Sequence, residues 1–154
     1  MTAPNHALTG AVIGLSVANP WAALLLAFLS HFACDAVPHY DPAEQDMARR
    51  IGAKSFTRDI LIISGGLCAL LVLLLAFFRP EHWIAAAIGA FLAASPDLFW
   101  LPRYMHVKRT GKDLLPTNWF LRFHNWEQWK TGSKLIWVEA AWFVAFSALV
   151  AIQL

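Results

Sequence analysis

Along this chain apolar stretches alternate with two polar ones. From Ala7 to Ala18 the residues are apolar or small, and the run stops at Asn19-Pro20, a strong turn signal. Pro4 suits a first helical turn, with Thr2 upstream as the expected cap. A second helix is expected from Pro20 or Trp21 to Val37, where Pro38 disfavours helical backbone in the residue before it. Both are shorter than the ~20 residues of a straight membrane crossing, so they read as a tight or re-entrant hairpin. Asp59 to Phe78 and His82 to about Trp100 read as spanning helices joined by Arg79-Pro80-Glu81-His82, and Lys134 to Leu154 as the last one.

The polar stretches separate these helices. Residues 42–58 carry Glu44, Asp46, Arg49, Arg50, Lys54 and Arg58 and have room for one short amphipathic helix. Residues 101–134 carry Arg103, Lys108, Arg109, Lys112, Arg122, Lys130 and Lys134. Within the second, 116–129 spaces Trp119, Phe120, Phe123, Trp126 and Trp129 at helical intervals among charged residues, the pattern of a helix lying in the headgroup plane. The expected fold is therefore all-α: one domain, 1–154, built as an integral membrane bundle of about five segments plus a Trp-rich interfacial helix.

Composition agrees. Hydrophobic residues make up 58% of the 154 and charged residues 14%, where a soluble domain has roughly a quarter charged. The formal charge of +2 is small and its basic residues flank apolar runs, which argues for topology and against a nucleic-acid partner. Both basic stretches are expected on the cytoplasmic side, with the N-terminus inside, the C-terminus outside and a bacterial inner membrane as the location. No Lys or Arg precedes Arg49, so a signal-peptide n-region is missing and the first helix should stay attached. Cys34 and Cys68 lie in apolar runs without Cys-x-x-Cys spacing and read as small core residues.

Ionisable groups interrupt the apolar runs at few places, and they are costly there. On the expected topology His6, His31, Asp35, Asp97, His124 and Glu139 share one membrane face. His31 and Asp35 are four residues apart and so lie on one helix face, which Ala27 and Ala23 extend. His6 leads into Gly10 and Gly14 at the same spacing, and Asp97 follows Ala93, Ala90 and Ala86. Small residues in such rows mark close helix contacts, so all three polar ends should point into the bundle. Histidine with carboxylate is a ligand set for zinc, with manganese or iron as alternatives, and a carboxylate-rich site has room for two metals around a phosphate. The competing reading is a hydrogen-bonded polar plug that fixes helix register. Glu139 fits a general base or a buried partner for Arg or Lys; His39 and Asp41 read as turn residues, and His82 and His106 lie outside the group.

At Asn5-His6-Ala7-Leu8-Thr9-Gly10, at 30–41 and at Ser95-Pro96-Asp97 the chain resembles the small membrane-bound metal-dependent hydrolases, a group loosely akin to zinc-dependent phospholipase C. His6 and Asp97 match best. The resemblance implies a phosphoesterase acting on a lipid headgroup at the cytoplasmic interface. Joined to the one-face cluster above, the expectation is that His6, His31, Asp35, Asp97 and His124 hold the metal and that Glu139 or Asp97 serves as base. Membrane lipids, with an anionic one as substrate, are the expected partners, together with further subunits or a second copy. The rival class is a non-enzymatic membrane subunit whose aromatic helix docks a partner.

Overall fold

In the computed structural model the described residues are 1–40, 62–112, 118–127 and 132–154, and all their regular structure is helical. Helix α1, Ala3–Ser16, begins with Pro4 in its first turn, where a missing N–H costs nothing. Thr2 does not cap it through its side chain; its hydroxyl is used elsewhere, as described below. Asn19 opens α2, Pro20–Asp35, by accepting from the backbone N–H groups of Trp21 and Ala22 at 3.0 and 3.1 Å. Helix α3, Gly65–Phe78, ends on Arg79 in the left-handed region, and His82 takes the same conformation, which turns the chain tightly into α4, Trp83–Ala94.

Beyond α4 the structure departs from the expected loop. A 3-10 helix, Ser95–Trp100, leads directly into α5, Leu101–Thr110, which stops at Gly111 with φ 67. Pro96 and Pro102 sit in the first turns of these two segments, so each proline re-starts a helix instead of ending one. The basic residues Arg103 and Arg109 thus ride on a helix. The expected interfacial helix is α6, Trp119–Glu127, with the Asn118 carboxamide accepting from Leu121 N–H at 2.8 Å. Its other expected residues, and the amphipathic segment expected within 42–58, lie outside the described residues. The last helix, α7, runs Ile136–Ala151 after a 3-10 turn at Ser133–Leu135.

Helix α1 is the centre of the packing, touching α2, α3, α4 and α7. It lies backbone to backbone on α4. A Cβ on Gly10 would overlap the Gly89 carbonyl and stand 2.7 Å from Ala93 Cβ, and one on Gly14 would run into the backbone of Ala86. The small-residue rows of the sequence are these contacting faces: Ala86, Ala90, Ala93, Ala23 and Ala27 are all buried. The buried set combines small residues, a few apolar ones such as Leu8, Leu71 and Leu75, and the polar His6, His31, His39, His124, Asn5 and Asp35, whereas Trp21, Phe77, Ile62, Leu73, Phe91 and Val144 face outward. One run among the described residues, Trp83–Val107, is long and apolar enough to cross a membrane, and Pro20–Asp35, Ile62–Phe78 and Ile136–Ala151 are shorter apolar helices.

Candidate metal centre

Because α1 and α4 approach so closely, polar groups from separate elements meet at one end of the bundle. The last turn of α2 supplies His31 and Asp35, and the first turns of α1 supply His6. Asp97 comes from the 3-10 helix after α4, His124 from α6, and His39 from the turn that follows Pro38.

Asp35 is the hub. Its Oδ2 lies 2.9 Å from His124 Nε2 and 3.3 Å from His31 Nε2, and its Oδ1 lies 3.1 Å from His6 Nε2 and 3.8 Å from His39 Nε2. The Met1 amino group also pairs with Oδ1. Asp97 Oδ1 stands 3.9 Å from His31 Nε2 and 4.0 Å from His124 Nε2, and its side chain is 34% exposed while the other members are sealed. His6 and His31 stack with ring centroids 4.1 Å apart. Donor atoms of His31, Asp35, Asp97 and His124 all lie within 4.8 Å of one another, so this group could hold a metal ion.

Two observations fit a cation. The donors are imidazole nitrogen and carboxylate oxygen, a set that suits zinc and related divalent metals, and the nearby Cys34 sulfur turns to the Thr9 hydroxyl at 3.8 Å. In addition His6 is fully buried, and while its Nε2 has Asp35 Oδ1 at 3.1 Å, its Nδ1 makes no hydrogen bond. A buried polar atom without a partner carries the full cost of its desolvation, about 1–3 kcal/mol, unless something else satisfies it.

The sequence-derived set is thus brought together except for Glu139. That carboxylate is buried in a separate cluster, where its Oε2 accepts from Thr2 N–H at 3.1 Å, the Thr2 hydroxyl at 2.7 Å and the Asn5 amide at 2.7 Å. The Asn5 amide also reaches the Glu139 carbonyl at 3.0 Å, and Thr9 joins by accepting from Trp142 Nε1–H at 2.9 Å. His39, read from the sequence as a turn residue, is 1% exposed and turned toward Asp35. Its position four residues after Asp35 was the available signal, masked by the helix-breaking Pro38. Trp100 and Asn5 carried no such signal. Trp100 donates its indole N–H to His124 Nδ1 at 3.0 Å, and Arg103 lies 5.0 Å above its ring. His82, beside the exposed Glu81, lies outside the group as expected.

Comparison with protein-family models, with curated proteins and with solved structures finds no match for this chain.

Proposed function

We propose that the chain is a membrane-embedded, metal-dependent hydrolase that cleaves a phosphoester, of a lipid headgroup, at the cytoplasmic interface. The observation that carries this reading is the meeting of His31, Asp35, Asp97 and His124 in one thiolate-free cluster, buried except at Asp97. Zinc bound there, or manganese or iron in its place, would supply a Lewis acid for a phosphoryl oxygen and an activated water. His31 and Asp35 hold the cation, and His6 lines its buried side. Asp97, the member open to solvent, takes a proton from water at Oδ1 and so acts as base. Glu139 anchors the start of α1 and with it His6.

Membrane embedding is supported by the inverted burial. Many large apolar side chains, Trp21, Phe77, Phe91 and Val144 among them, face outward while several ionisable groups are buried, and the 25-residue run Trp83–Val107 has only 28% of its apolar window buried, unlike a core helix of a soluble protein. In the proposed topology the basic stretches and the N-terminus are cytoplasmic and the C-terminus is outside. Helix α6 lies at the interface, where it and the basic residues draw in an anionic lipid.

A second reading, a non-enzymatic membrane subunit with a polar plug, is favoured by one observation: both Asp35 oxygens already have protein partners, the Met1 amino group on Oδ1 and His124 Nε2 at 2.9 Å from Oδ2. Metal analysis of the purified, detergent-solubilised chain separates the two. The hydrolase reading expects stoichiometric zinc, manganese or iron, lost in a His31→Ala, Asp35→Ala double variant. Metal absent from the wild type, or content unchanged in the variant, favours the plug.

A further inference from the structure

The histidines around Asp35 differ in what holds their Nδ1 atoms. In His31 that atom is 2.8 Å from the Ala93 carbonyl oxygen, and in His39 it is 2.7 Å from the Val37 carbonyl oxygen. A carbonyl only accepts, so both Nδ1 atoms carry the hydrogen and both neutral rings turn a bare Nε2 toward Asp35. Ligating imidazoles are held in this way.

His124 is arranged the other way round. An indole N–H only donates, so His124 Nδ1 is the acceptor from Trp100 and the hydrogen of the neutral ring sits on Nε2. Turning the ring over would set a carbon against the indole N–H. As placed, Nε2–H stands 2.9 Å from Asp35 Oδ2 and 2.9 Å from His31 Nε2, and both are acceptors.

From this polarity we infer that His124 stands outside the metal's ligand set, as an N–H donor to Asp35 that Trp100 holds in place. The inference rests on the metal reading and sharpens it. Ligation through Nε2 requires His124 either to lose its only ring hydrogen or to break from Trp100; His31 faces neither obstacle. A cation on His31 Nε2 leaves the His124 N–H wholly to Asp35 Oδ2, which orients that carboxylate. His31 and Asp35 remain as ligands, with His6 and His39 the nearest further nitrogen donors and Asp97 free to act as base. Trp100 is then a positioning residue.

The test uses the full chain in detergent with zinc as the probe. His31→Gln should weaken zinc binding by more than about a hundredfold. His124→Gln, which keeps an N–H at the same reach, should keep the wild-type stoichiometry and an affinity within about tenfold, while His124→Leu, which lacks the donor, should fall below it. Nitrogen-15 NMR of the wild type should place the His124 hydrogen on Nε2 before and after zinc is added, a readout that needs no variant to fold. Zinc loss in His124→Gln equal to that in His31→Gln, or a hydrogen on Nδ1, overturns the inference and leaves the metal reading standing. A wild type that binds no zinc sinks both.

Discussion

Asp35 and Glu139 are both buried carboxylates held against the start of α1, at 1% and 5% exposure, but they keep different company. Glu139 faces a backbone N–H, a hydroxyl and a carboxamide, none of which offers a nitrogen lone pair. Asp35 faces imidazoles, whose unprotonated ring nitrogen offers a lone pair to a metal. Burial and charge are therefore poor guides to which carboxylate is a site. The chemistry of the partners separates them: on the proposed reading Glu139 is a fastener and Asp35 the centre of a metal site.

The sharpest way to break that distinction is to neutralise each carboxylate without changing its shape. Asp35→Asn removes the hub and should lower zinc affinity by more than about a hundredfold, beyond the 10–100-fold typical of groups behind the ligands. Glu139→Gln should leave zinc affinity within about threefold and instead lower unfolding stability by about 1–3 kcal/mol, because a neutral amide oxygen accepts the three bonds more weakly than a carboxylate and the amide nitrogen falls at the buried, partnerless Oε1 position. Chelator competition and denaturant unfolding in detergent measure the two effects. Equal zinc losses would merge the two clusters into one functional unit.

A smaller effect should follow from separating the helices that both clusters share. Gly10→Ala pushes a methyl group into the Gly89 carbonyl, and neither backbone can move without parting α1 from α4. Overpacking of this kind costs about 1–3 kcal/mol. Because His6 rides on α1 and His31 bonds the α4 carbonyl of Ala93, zinc affinity should fall as well. Gly65→Ala is the control, since a Cβ there meets nothing within 4 Å. A Gly10→Ala protein with wild-type stability and zinc affinity would mean that the close approach does not set the site.

These contacts also explain what was legible in the sequence. Three- and four-residue spacing carries phase, so the rows His6-Gly10-Gly14, Asp97-Ala93-Ala90-Ala86 and Asp35-His31-Ala27-Ala23 identify the buried faces without any structure. Phase says nothing across elements. That Glu139 meets Thr2 and Asn5 depends on α7 packing beside α1, and that Trp100 meets His124 depends on a 3-10 segment facing α6. Two expectations failed beside a proline. Pro38 set His39 apart as a turn residue, yet the turn brings it back to Asp35; the stretch after Trp100 read as polar chain between helices, yet Pro102 begins a helical segment there.

The smallest expected effect concerns a single hydroxyl. Thr2→Val keeps the shape of the side chain and the backbone N–H that reaches Glu139 Oε2 at 3.1 Å, and removes only the 2.7 Å bond from Oγ1. Oε2 still accepts from Asn5, so the carboxylate is not stranded. The loss should be about 1 kcal/mol of unfolding stability, the net worth of one hydrogen bond, with zinc affinity unchanged. This variant tests the comparison where it is most exposed, because Thr2 is a near neighbour of both Met1, which pairs with Asp35, and His6. If zinc binding falls while stability holds, the start of α1 transmits directly from the Glu139 cluster to the Asp35 cluster, and the fastener is part of the site.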